Sequence, residues 1–65
     1  MRILVNGAWH EVRAAKLAAA LGELGYDERT VSTAVNGEFV AAGARAVTTL
    51  SEGDQLEVLA PMQGG

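Results

Sequence analysis

The few residues of this chain able to carry chemistry are led by its last two, Gly64-Gly65. A terminal carboxylate borne on two residues without Cβ atoms is thin enough to enter a narrow channel of another protein. Glycine's wide φ/ψ range also allows it a sharp approach to a nucleotide phosphate. Such an end suits activation of the carboxylate inside a partner's active site, this chain supplying the acyl group and no catalytic residue. Two terminal glycines arise by chance in roughly 0.5% of chains at the ordinary glycine usage of about 7%. The pair therefore needs support from the rest of the sequence before it outweighs an inert, frayed end.

Other reactive side chains are sparse. His10 is the only histidine; no second ligand accompanies it, and it reads as a half-buried strand residue rather than a ligand or base. There is no cysteine, which excludes a disulfide framework, a thiolate zinc site, an iron–sulfur cluster and a cysteine nucleophile. No metal site is expected. Lys16, the one lysine, supports no catalytic role, and the acids of Glu52-Gly53-Asp54 and Glu57 read as a solvated face. Eight acids against five bases give a net charge of −3. A phosphate backbone demands clustered cations, whereas Arg2, Arg13, Lys16, Arg29 and Arg45 are scattered, so no nucleic-acid partner is expected. The longest apolar stretch falls far short of the roughly 18 residues of a spanning helix, and no basic segment plus apolar run opens the chain. The expectation is a soluble cytoplasmic protein with no membrane role.

A very small fold must position these residues. At 65 residues one domain is the only option, with a thin core and no deep pocket. Residues 1–60 are expected to form it and residues 61–65 a flexible tail. Residues 1–5 are apolar and β-rich, Asn6-Gly7 suits a two-residue type I′ turn, and residues 8–12 return. Pairing Val5 with Ala8 and Ile3 with His10 sets Ile3, Val5, His10 and Val12 on one face, with Leu4 and Trp9 on the other. Over residues 14–24 the period changes, and Ala14, Leu17, Ala20, Leu21 and Leu24 form the stripe of an amphipathic helix closed by Gly25.

After a polar connector, residues 31–35 alternate, Asn36-Gly37 repeats the turn signal and residues 38–40 return. Thr33, Val35 and Val40 then face inward and Phe39 outward beside Ala34. Residues 41–47 lack a period and are expected to cross irregularly. A short extended piece at 48–50 and a compact turn at 51–54 lead to the last strand, 55–59, with Leu56 and Val58 inward. The class is α+β, a mixed sheet of four to five strands with one helix across it and the last strand beside the first. This is the β-grasp arrangement of ubiquitin-like proteins. Pro61 ends the strand, and Met62, Gln63, Gly64 and Gly65 reach about 13 Å beyond it when extended at ~3.3 Å each.

Residues 34–40 (AVNGEFV), Thr48-Thr49-Leu50 with Glu52-Gly53-Asp54, and the ending EVLAPMQGG at 57–65 together resemble the sulfur carrier proteins of thiamine biosynthesis. The likeness covers essentially the whole chain. It implies a carrier rather than an enzyme, with its chemistry at Gly65. By this resemblance, an adenylating enzyme related to ubiquitin-activating enzymes uses ATP to activate the Gly65 carboxylate. Sulfur from a persulfide donor then displaces AMP and leaves a thiocarboxylate, which thiazole synthase consumes. Pro61, Met62, Gln63 and Gly64 would enter the partner's active site. The chain itself would bind no cofactor and be a monomer when free.

Three alternatives stand beside this reading: a carrier of the same chemistry for molybdopterin synthesis or tRNA thiolation, a ubiquitin-like modifier of protein lysines, and an interaction module with an inert tail. The chain also departs from the family pattern. Many members carry Pro-Arg after the second Asn-Gly hairpin and an aromatic residue soon after, where this chain has Ala41, Ala42 and Arg45. Thr33 stands where a larger aliphatic residue is usual. Leu4, Trp9, Phe39 and Leu59, on the sheet face away from the helix, are expected to form a patch for docking partners. The plain alternative has Trp9 or Phe39 folding over to extend the core.

Overall fold

Two Asn-Gly turns organise the sheet. In the computed structural model, which describes residues 1–60, β1 (Arg2–Val5) turns at Asn6-Gly7 into β2 (Ala8–Glu11). In the same way β3 (Ser32–Val35) turns at Asn36-Gly37 into β4 (Glu38–Val40). The φ values are 49° and 84° at the first turn and 51° and 85° at the second. A type I′ turn requires this left-handed pair, and Asn followed by Gly enters it at least cost. The cross-strand partners are those alternation predicts, Leu4 opposite Trp9 and Ala34 opposite Phe39. The last strand, β5 (Gln55–Leu59), lies between the hairpins, parallel to β1 and antiparallel to β3. The strand order is β2-β1-β5-β3-β4, a five-stranded mixed sheet, and the fold is α+β as expected.

The helix is shorter than its stripe suggests. Helix α1 (Leu17–Leu24) begins three residues after Ala14, because the preceding backbone is engaged elsewhere. Glu23 reaches back to accept hydrogen bonds from the amides of Arg13 and Ala14. The Ala15 carbonyl accepts from Leu50 N–H and the Leu17 amide donates to the Thr48 carbonyl, on either side of a bridge between Lys16 and Thr49. The expected extended piece at 48–50 is thus tied to the helix entrance. At the other end Gly25, with φ 89°, supplies the left-handed cap.

One side of the sheet is covered. Ile3, Val5, Val12, Leu17, Ala20, Leu21, Leu50, Leu56 and Val58 form the buried cluster. His10 does not join it: β2 is an edge strand whose every residue is exposed, so sharing a face with Ile3 does not bring His10 under cover. The segment expected to cross irregularly is a 3₁₀ helix at Ala42–Val47. Its Arg45 is buried, only 4% exposed, and has no carboxylate partner among the described residues. Nε donates to Thr33 Oγ1 at 3.2 Å, Nη1 to the Glu28 carbonyl at 2.7 Å and Nη2 to the Val31 carbonyl at 2.6 Å. Thr33 in turn donates to the Val40 carbonyl at 2.9 Å. Arg45 and Thr33, both singled out in the sequence, thus form one linked feature, a buried guanidinium and the hydroxyl that receives it. A larger aliphatic at Thr33 would leave Nε without its acceptor.

Candidate functional site

The uncovered side of the sheet presents the apolar residues singled out from the sequence. Phe39 is 72% exposed, Leu59 67% and Trp9 52%, so neither aromatic folds over into the core. Leu4 is half-buried. The register divides these residues into two groups. Trp9 lies opposite Leu4, which lies opposite Gln55. Phe39 lies opposite Ala34, which lies opposite Glu57, while Leu59 pairs with Ser32. The first group occupies the β2–β1 half of the sheet and the second the β4–β3–β5 half, with the polar side chains of β5 between them.

The two halves also differ in chemistry. Over the Trp9 ring the Arg2 guanidinium sits 4.5 Å from the centroid, a cation–π contact that gives the first group a positive edge. Phe39 and Leu59 instead border a shallow apolar groove of about 110 Å³, lined also by Ser32, Thr33, Ala34 and Glu57. Val47, 76% exposed, is a further large apolar residue that sequence reasoning passed over, and it stands on the 3₁₀ helix rather than on the sheet. A second depression, about 240 Å³, lies beside Arg45 and Arg29. Its cations are engaged, Arg45 by the three acceptors above and Arg29 by Asp27 at 3.2 Å. The Arg29 hydrogen bonds and charge lower the Asp27 carboxyl from its ordinary value, and the hydrogen bonds and charge of Asp27 raise the Arg29 guanidinium in turn.

The groove lies where the chain leaves the sheet. At its end β5 is held from both sides, by β3 on one and on the other by a side chain. The amides of Leu4 and Asn6 donate to the carbonyls of Asp54 and Leu56 at 2.9 and 3.0 Å, after which β1 has turned away. The Asn6 carboxamide then takes up the ladder. Its Nδ2 donates to the Val58 carbonyl at 3.0 Å and its Oδ1 accepts from Val58 N–H at 2.9 Å. A primary amide presents one donor and one acceptor in the geometry of a peptide unit, so it replaces the missing strand residue. Asn36 acts on the entrance of β5, where Oδ1 accepts from Gln55 N–H at 2.9 Å and Nδ2 donates to the Asp54 carboxylate at 3.0 Å. Pro61, Met62, Gln63, Gly64 and Gly65 lie outside the described residues.

Among the described residues, no group of three or more His, Asp or Glu side chains could hold a metal ion, and no helix is long and apolar enough to cross a membrane. Both the sequence and the fold match known proteins. Residues 3–65 match the model described as the ThiS family. The chain belongs to the ThiS family. The proteins of that family are sulfur carriers of thiamine biosynthesis and not enzymes. Among solved structures, a crystal structure of the thiamine biosynthesis protein ThiS from Geobacter metallireducens superposes with a TM-score of 0.82. Its sequence is 32% identical and both chains are covered completely. A solution NMR structure of a thiamine biosynthesis protein from the same organism gives 0.80 at 32% identity, covering all of this chain and 88% of the other. A thiazole synthase of Paramagnetospirillum magneticum is 36% identical over 66 residues. That match takes in this whole chain but spans only 20% of the relative.

Proposed function

We propose that this ThiS-family chain carries sulfur as a thiocarboxylate on Gly65 and delivers it to thiazole formation. The observation that supports this most is the family match running through residues 3–65, the Gly64-Gly65 pair included. In the proposed sequence a Gly65 carboxylate oxygen attacks the α-phosphorus of ATP in an adenylating partner, and pyrophosphate leaves. The acyl adenylate has AMP as a good leaving group. The terminal sulfur of a persulfide attacks the acyl carbon and expels AMP, and a thiol then cleaves the resulting sulfur–sulfur bond, itself becoming part of a disulfide. The thiocarboxylate that remains is a soft nucleophile suited to sulfur transfer.

The chain contributes position rather than catalysis. Pro61, Met62, Gln63 and Gly64 present the terminus to the partner's site, and the exposed face carrying Leu4, Trp9, Phe39 and Leu59 docks the partner. ATP is a substrate of the adenylating enzyme and not a cofactor of this chain. Thiazole synthase as the receiving partner is supported by the Paramagnetospirillum relative, which bears that name and contains a segment similar to this whole chain. The reactions would take place in the cytoplasm.

The test is ATP–pyrophosphate exchange by a ThiS-adenylating enzyme with this chain as the acyl substrate. Exchange should depend on the chain and vanish on deletion of Gly65. Undiminished exchange after that deletion would place the chemistry elsewhere.

A further inference from the structure

The amide of Asn6 has more to do than close a hairpin. Its backbone conformation, φ 49°, accounts for an Asn at this place in a type I′ turn, but glycine would serve the turn as well. What glycine lacks is the carboxamide, and in this structure that group makes two hydrogen bonds to a single residue 52 positions away, Val58. Val58 is the last residue of β5 with partners on the β1 side. Leu59, which follows it, is held by pairing with Ser32 on the other side, and Ala60 lies beyond the strand. Without the carboxamide the β1 side of the ladder would end at Leu56, and the last two residues of β5 would be held along one edge only.

We infer that Asn6 is a positioning residue for the chemistry at the C-terminus: by completing the ladder at Val58 it fixes the direction in which the chain departs the sheet towards a partner's active site. This rests on the carrier reading above. An acyl group delivered on the end of a chain must meet its reaction partner within a fraction of an ångström. Misplacement by about 1 Å can cost on the order of a hundredfold in rate. Docking relies on exposed side chains of the sheet and is a separate matter, so loss of the amide should act on turnover and spare affinity.

The experiment compares Asn6→Gly with Asn36→Gly. Both variants keep the left-handed turn, and each removes one carboxamide from β5, at its exit and its entrance respectively. Steady-state adenylation is measured with the chain as the varied substrate, beside amide hydrogen exchange of both folded variants. Asn6→Gly should lower kcat by between about ten- and a hundredfold with KM changed less than about twofold, and should speed exchange at Val58. Asn36→Gly should leave both constants near those of the parent. Asn6→Asp, which keeps the acceptor but loses the donor, should fall between Asn6→Gly and the parent in kcat. Faster exchange at Val58 with unchanged kcat would overturn the inference and leave Asn6 a purely structural residue, as would equal kinetic losses in the two glycine variants. A parent chain that no adenylating enzyme turns over would instead overturn the carrier reading, and the inference with it.

Discussion

The two hairpins share a dipeptide, a turn geometry and a neighbour in β5, yet they are built into the protein by different means. β1–β2 rests on aliphatic side chains, Ile3, Val5 and Val12, all buried, and its turn residue Asn6 grips the exit of β5. β3–β4 has at its centre a buried threonine, bonded to an arginine whose other partners are backbone carbonyls, and its turn residue Asn36 grips the entrance. Identical local sequence therefore fixes the turn but not what the turn is for. That is decided by which backbone lies within reach of the asparagine amide once the sheet has formed.

The sharpest way to break this contrast is at Arg45. Arg45→Ala removes three charge-assisted hydrogen bonds from the second hairpin and its surroundings and should cost about 3 kcal/mol. At 0.05–0.15 kcal/mol per residue, the whole domain has about 3–10 kcal/mol to lose, so the variant should be largely unfolded at moderate urea. Arg45→Lys should recover less than half of the loss, because a single ammonium cannot serve three diverging acceptors. A loss below about 0.5 kcal/mol, the level of an ordinary surface substitution, would show that the second hairpin does not depend on the guanidinium.

Next come the turns themselves. In urea denaturation Asn6→Gly should lose about 1–3 kcal/mol, since it leaves the part-buried N–H and C=O of Val58 without partners. Asn36→Gly should lose about 0.5–1 kcal/mol, because its hydrogen bonds are exposed and water replaces them. Equal losses would erase the distinction between exit and entrance.

The uncovered face sharpens the comparison at the level of partners. Leu59→Glu should leave stability within about 0.5 kcal/mol of the parent and raise the KM for adenylation about tenfold, the effect of an interface residue worth somewhat over 1 kcal/mol. Trp9→Ala, on the far edge strand, should raise it less. The smallest effect belongs to Asp27, whose lowered carboxyl pKa stabilises the fold only above the unfolded carboxylate range and loses that contribution as the pH falls through the folded value. Asp27→Asn keeps an acceptor for Arg29 N–H and removes the charge from an exposed pair. Its thermal unfolding at high salt should be indistinguishable from that of the parent, and a clear difference there would mean that the pair does more than a screened surface bridge.

Much of this arrangement is legible in the sequence because it follows from local rules. Alternation and the Asn-Gly turns place every strand to within two residues at either end and put Leu4 opposite Trp9 and Ala34 opposite Phe39. The face of Phe39 and Leu59 follows from the same period of two. What escaped depends on distant partners. Ala14 and Ala15 favour a helix, but the carboxylate of Glu23 and the amide of Leu50 claim their backbone. The run AAGARAV has no period because its one buried side chain is an arginine satisfied by carbonyls of residues 28 and 31, and a base read from charge alone belongs on the surface. Strand alternation draws His10 inward, whereas its place at the sheet edge leaves it exposed. The grip of Asn6 on Val58 leaves no local trace, since the turn already explains the asparagine.

The most direct test of sulfur carriage uses the absence of cysteine. The intact chain is incubated with an adenylating enzyme, ATP and a persulfide donor, treated with a thiol-directed alkylating reagent and fragmented in a mass spectrometer. Fragmentation is needed because exchanging one oxygen for sulfur changes the mass by nearly as much as oxidation of Met1 or Met62. The account predicts a single adduct on the fragment containing Gly65, formed only when ATP is present. An unlabelled chain, with an adenylating enzyme shown to load another carrier in parallel, or a label on any other residue, would contradict it.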